Sequence, residues 1–262
     1  MDKVTSGTSV QIDLNCDVGE WSGTDIPNND RALLTCITSA NIARGGHAGD
    51  ERSMQMTVRF AADHGVAIGA HPGFADRAGF GRREISATSQ EIENLVASQV
   101  ELLRDVARNE RTIVRHVKPH GALYNLSARD ASVADAVARA VVRIDSNLIL
   151  FGLSGSELIA AGRAAGLNVA CEVFADRAYA LDGSLVSRRK PGAVIDDPGI
   201  VLQRAVRLVV DGSVLAESGE TLHLVADTIC VHGDTSGAPE LVRQLRAGLR
   251  DAGVSVRSIG GP

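Results

Sequence analysis

The chain has 262 residues, 44% of them hydrophobic and 3% aromatic, with 27 basic against 32 acidic residues for a net charge of −5. That balance excludes a disordered chain, which needs low hydrophobicity with high net charge, and argues against a dedicated nucleic-acid binder, which carries a basic face. A chain this long buries roughly 70–75% of its unfolded surface, so its aliphatic, alanine-rich core needs neither disulfides nor metal.

The elements follow in a regular order. Val10 to Leu14 alternates at period two and reads as a strand. Residues 39–46 form a weaker strand candidate. Residues 51–64 place Met54, Val58, Ala61 and Ala62 on one helical face, and Gly65 stops the helix. Val66 to Ala70 is a third strand. Thr88 and Glu91 make a capping box for a helix whose stripe is Ile92, Leu95, Val96, Leu103 and Val106. A strand at about 113–118 precedes a helix over 130–144. Leu148 to Phe151 is a strand, 156–165 a helix and Val169 to Phe174 a strand. Residues 178–195, which hold Gly, Ser and Pro, and 213–225, which hold Gly and Ser, read as irregular excursions or hairpins around a helix at 198–210. Thr228 to Val231, a helix at 239–251 and a last strand at 254–256 complete the chain.

Strand–helix alternation repeated about seven times predicts an α/β fold with a parallel sheet. Seven to eight units in this length favour a closed barrel over an open sheet, as one domain spanning 1–262. No G-x-G-x-x-G follows the first strand and no G-x-x-x-x-G-K-[ST] occurs, so neither nucleotide loop is predicted. The four cysteines, Cys16, Cys36, Cys171 and Cys230, form no C-x-x-C pair. With no apolar signal core at the start and no apolar run of about 18 residues, the expectation is a cytoplasmic protein with no membrane contact.

In such folds the chemistry gathers at the carboxyl ends of the strands. Those ends carry Asn15, Asp17 and Glu20; His47 and Asp50; His71; Lys118 and His120; Glu172, Asp176 and Arg177; and His232 and Asp234. Asp50 also suits a helix cap. His116 reads as structural, His64 as a partner of a helix C-terminus, and His223 as surface. Lys118 is one of only three lysines, with Lys3 and Lys190. A lysine is costly to bury unless paired or used. Period two aims Lys118 and His120 to one side, which suits an anionic substrate and a proton transfer. The glycine loops at 45–49, 154–156 and 233–237 precede helices and could hold an anion. Arg82-Arg83 could clamp one too.

Eight ordered segments together resemble one family. They are Asn15-Cys16-Asp17-Val18-Gly19-Glu20, Ser39 to Ala43, His47-Ala48-Gly49-Asp50, Ile68 to Gly73, Gly79-Phe80-Gly81-Arg82-Arg83, His116 to Asn125, Glu172 to Arg177, and Val231 to Thr235. They resemble the lactam-utilisation (LamB/YcsF) family, to which one component of bacterial 5-oxoprolinase belongs, over about residues 10–255. Arg44 and Gly46 depart from the family's usual Cys and Phe. The loop after Glu20 also differs from the usual Gly-rich, aromatic form.

The resemblance implies a distorted (β/α) barrel similar to the glycoside hydrolase and polysaccharide deacetylase superfamily. It implies ATP-dependent opening of 5-oxo-L-proline to L-glutamate, in complex with separate B and C subunits. For that chemistry Lys118 is expected to stabilise anionic charge, and Asp17 and His120 to move protons. His47, His71, Glu172, Asp176, Arg177, His232 and Asp234 are expected to bind or orient substrate or water. ATP is the expected co-substrate, with a divalent metal possible, either Mg with the nucleotide or a bound ion. Two alternatives stand beside this. One is a metal-dependent hydrolase, such as a carbohydrate deacetylase, with Asp17, His71 and His120 as ligands. The other is a non-catalytic partner in the complex.

Overall fold

A computed structural model describes residues 10–231, 233 and 237–261. The strands are β1 (Gln11–Val18), β2 (Ser39–Ile42), β3 (Ala67–Ala70), β4 (Val114–Val117), β5 (Ile149–Leu153), β6 (Asn168–Phe174), β7 (Ser213–Leu215), β8 (Thr221–His223), β9 (Thr228–Val231) and β10 (Ser255–Val256). The helices are α1 (Asn28–Leu34), α2 (Glu51–Asp63), α3 (Ser89–Asn109), α4 (Gly121–Arg129), α5 (Ala131–Ile144), α6 (Glu157–Ala164), α7 (Pro198–Val210) and α8 (Ala238–Asp251). Every pairing among β1 to β6 and β9 is parallel, and β1 pairs with both β2 and β9. The sheet therefore closes into a seven-stranded barrel. β10 adds to the outer start of β1 at Gln11 and Ile12, and β7 with β8 forms a separate hairpin.

β1 shows how the barrel is built. Its even residues Ile12, Leu14, Cys16 and Val18 are buried in the aliphatic core beneath the helices. Its odd residues Asp13, Asn15 and Asp17 bond to groups on β2, β6 and β9 or following β4, across the lumen. The lumen is thus polar, and the apolar core is the layer between strands and helices. All four cysteines are buried and free.

Helix starts follow the local signals. Asp50 caps α2 in a capping box with Ser53, and Thr88 with Glu91 does the same for α3. Asp197 caps α7, which has Pro in its first turn. Two helices escape the sequence reading. α1 is only seven residues long and starts after Pro27 with no side-chain cap. α4 starts on Gly121, directly after His120. The 178–195 segment is held by antiparallel bridges Arg177–Val194 and Tyr179–Leu185 rather than by regular structure. None of the described helices is long and apolar enough to cross a membrane.

Candidate functional site

The site is the polar lumen where it opens at the carboxyl ends of the strands, and it is built in tiers. At the base Asp13 accepts hydrogen bonds from Thr38 Oγ1, Ser39 Oγ and Thr228 Oγ1. Burial outweighs these bonds and pushes its carboxyl up to about 6. Above it, the Asn15 amide donates to Glu172 Oε1 at 2.9 Å and to Thr228 Oγ1 at 2.7 Å, and its Oδ1 accepts from Asn41 at 2.7 Å. His116 Nε2 donates to Asn41 Oδ1 at 2.8 Å and its ring stacks on Phe151. Burial pushes His116 down to about 3. It is a neutral support, as its sequence context suggests. Gly69 makes room for it, since a Cβ there would lie 1.9 Å from His116 Nε2.

Lys118 is the centre of the next tier. Its backbone N–H donates to Ala70 O and that of His120 to Pro72 O. β4 ends at Val117, but these bonds carry the extended chain on to His120. Lys118 does not reach out to the rim; it is buried. Its ammonium lies 3.0 Å from Asp17 Oδ1, 3.0 Å from Glu172 Oε1, 3.2 Å from Asn15 Oδ1 and 3.0 Å from Cys230 Sγ. Burial works against the charged form, but Asp17, Cys230 and Glu172 outweigh it and hold the ammonium well above its ordinary range. Burial also works against the Asp17 carboxylate. His71 and Lys118 outweigh it and hold that carboxyl well below the usual range.

Three histidines and Glu20 form the top tier. His71 Nε2 lies 3.3 Å from Asp17 Oδ2 and 2.9 Å from His120 Nδ1. His47 Nε2 lies 3.1 Å from Glu20 Oε1, and its ring stacks on His120 at 3.7 Å between centroids. Burial pushes His47 to about 3 and His120 to about 2, so both imidazoles are neutral at physiological pH. Gly81, at φ +63°, packs against both rings; a Cβ would meet His47 Cβ at 2.7 Å.

This tier opens into a cavity of about 820 Å³. Asp17, His71, Lys118, His120 and Arg177 lie on its wall. Arg177 also braces the 178–195 segment, donating to Val186 O and Ala193 O. His47, Glu172 and Asp176 stand just behind that wall, buried. His232 and Asp234 lie outside the described residues. Of the two arginines after Gly81, Arg82 faces the cavity, whereas Arg83 turns to pair with Asp76. His64 Nδ1 donates to Phe60 O at the end of α2.

Two members have no distinct role in the sequence reading. Glu20 stands there only as one of several polar residues after β1. Gln99 of α3 is buried, and its amide bonds both Gly73 N at 3.1 Å and Gly73 O at 2.7 Å, pinning the loop that carries His71. The sequence does hold a signal for Gln99, because it falls on the same helical face as Ile92, Val96, Leu103 and Val106. Gly46 lies against this amide, and a Cβ there would sit 3.1 Å from Gln99 Oε1. Arg44 is half-buried at the edge of the same loop.

Comparison with known proteins finds similarity over nearly the whole chain. The LamB/YcsF family model matches residues 12–261. A protein of Staphylococcus carnosus, named as the A subunit of 5-oxoprolinase, is 49% identical over 96% of this chain and 100% of its own length. One of Rhodopseudomonas palustris with the same name is 51% identical over 94% of this chain and 96% of its own. The crystal structure of a lactam utilization protein from Thermus thermophilus superposes with a TM-score of 0.89 at 42% identity, covering 95% of this chain and 100% of that one.

Proposed function

The chain belongs to the LamB/YcsF family, and from that premise we propose that it is a component of an ATP-dependent 5-oxoprolinase, working with separate B and C subunits. The reaction converts 5-oxo-L-proline to L-glutamate with ADP and phosphate. The observation that carries this reading is the convergence of Asp17, His71, Lys118 and His120 on one cavity whose wall also holds Arg82 and Arg177. A substrate with a carboxylate and a phosphorylated intermediate needs cations on that wall. Two proton transfers need an acid and a base beside them.

The lactam is a resonance-stabilised amide and a poor electrophile. Transfer of the γ-phosphoryl group of ATP to the lactam oxygen releases ADP and activates the ring carbon. Water adds there and gives up a proton. The C–N bond breaks as the ring nitrogen takes a proton, and a second water removes the phosphate. Asp17 Oδ2 and the neutral His120 ring are the proton carriers in this scheme. Lys118 fixes Asp17 and offers positive charge to the developing oxyanion. His71, His47 and Glu172 hold these groups in place. Arg177, backed by the buried Asp176, completes the substrate contacts together with His232 and Asp234.

The test is glutamate release from 5-oxoproline and ATP by this chain with and without the B and C subunits. Turnover is expected only in the complete mixture. His120→Ala is expected to lower kcat by at least ~100-fold while the complex still assembles. Wild-type turnover in both His120→Ala and Lys118→Ala would reduce this chain to a scaffold.

A further inference from the structure

We propose that His71, His120 and Glu20 bind one divalent transition-metal ion of the zinc type, with Asp17 at its edge and His47 orienting Glu20. The argument begins with where the imidazole protons are. His71 Nδ1 lies 2.8 Å from Lys118 O, and His120 Nε2 lies 2.9 Å from Phe80 O. A carbonyl can only accept, so both of these nitrogens carry the proton. His71 Nε2 and His120 Nδ1 are therefore the two ring positions left over, each presenting a lone pair unless a further proton lies between them. Yet they face each other at 2.9 Å. Glu20 Oε1 is 3.5 Å from His120 Nδ1, and Asp17 Oδ2 is 3.3 Å from His71 Nε2. Two lone pairs aimed at each other repel unless a positive species lies between them, and two carboxylate oxygens stand beside the same gap.

The dimensions suit a metal ion. Bonds of about 2.0–2.1 Å in a tetrahedron put neighbouring ligand atoms about 3.3 Å apart. The spacings of 2.9 and 3.5 Å bracket that value. The ligand atoms of Glu20, His47, His71 and His120 all lie within 4.8 Å of one another. The outer nitrogens of His71 and His120 donate to backbone carbonyls, which is how metal-bound histidines are normally held. Two imidazoles with one carboxylate favour zinc, cobalt or nickel over calcium or magnesium, which prefer oxygen ligands alone. This set replaces Asp17 by Glu20 relative to the sequence expectation. The Oδ1 of Asp17 is taken by Lys118 and Asn41, which leaves only Oδ2 for the edge of the site. When bound, such an ion would supply a Lewis acid facing the cavity.

The inference goes beyond the oxoprolinase reading, gives His120 to the metal in place of the proton transfer assigned to it there and leaves that step to Asp17, and is tested without turnover. The isolated chain is stripped with a chelator and titrated with Zn²⁺ by calorimetry and with Co²⁺ by visible absorption. One equivalent is expected, with the d–d bands of low-coordinate cobalt. His71→Ala and His120→Ala should each weaken binding at least ~100-fold, His47→Gln about 10-fold, and His64→Ala not at all. Thermal melts check that each variant folds. Absence of stoichiometric binding by the wild-type chain would mean that a shared proton, not a metal, fills the gap, and would overturn the proposal. So would unchanged affinity in folded His71→Ala and His120→Ala. Either result stands whether or not the complete mixture releases glutamate.

Discussion

Replacing Lys118 by Met tests whether one ammonium holds the lumen together. Met keeps the length of the stem and removes the charge. At an effective dielectric constant near 20, each unit-charge pair at the 3.0 Å separations seen to Asp17 and Glu172 is worth ~5 kcal/mol of attraction. Desolvation of the ammonium offsets much of this. Breaking a buried ion pair from one side still costs about 3–5 kcal/mol, because a carboxylate stays behind unpaired. Here Glu172 is the carboxylate left without a cation, because Asp17 keeps His71 at 3.3 Å and the Asn41 amide at 2.9 Å. For a chain of this length about 2 °C of Tm follows each kcal/mol, so Lys118→Met should lower Tm by about 6–10 °C. The double variant Lys118→Met/Glu172→Gln removes the stranded charge and should recover about half of that loss. The assay is thermal unfolding of the four proteins in a double-mutant cycle, followed by circular dichroism at about pH 7.5. If Lys118→Met melts within ~2 °C of wild type, or if the two substitutions are simply additive, the ammonium does not bind the two carboxylates together and the reasoning fails.

Three further outcomes follow from the same geometry. Gly69→Ala should destabilise by about 2–4 kcal/mol, as for other steric conflicts in a packed core, because the new methyl group displaces the His116 ring from Asn41; an unchanged melting curve would contradict this. Asp13 sits near 6 when folded against an ordinary 3.8. The unfolded chain therefore loses that proton first, and folding loses stability as pH rises through this window, by about 3 kcal/mol in all. Asp13→Asn lacks this penalty, so its stability relative to wild type should improve from about pH 4 to about pH 7 in denaturant titrations; a flat difference would show that Asp13 stays ionised. Arg177→Met removes the bonds to Val186 O and Ala193 O and should speed tryptic cleavage after Arg188 and Arg189, whereas an unaltered cleavage rate would show that the segment is braced elsewhere.

Much of the architecture was legible in the sequence, because periodicity is a local property of a chain. Thr228 to Val231 is a strand as read, and the capping boxes and cap residues of the helices are contiguous in sequence. The strand-end residues Asp17, His71, Lys118 and His120 could be picked out because a parallel barrel always gathers its strand ends in one place. The resemblance of eight ordered segments added the family. α1 and α4 were not legible, because one is short and uncapped and the other starts on a glycine that reads as a turn. What only the tertiary structure decided is which polar groups face which. The 2.9 Å approach of His71 to His120 joins residues 49 positions apart, and Lys118 to Cys230 spans 112. Whether Lys118 is an exposed rim cation or a buried counter-ion, and whether Glu20 or Asp17 stands beside the paired imidazoles, depends on distances set by barrel closure. Local sequence determines the face each side chain takes on its own strand, but closure determines its neighbours across the lumen, and the chemistry of the site resides in those neighbours.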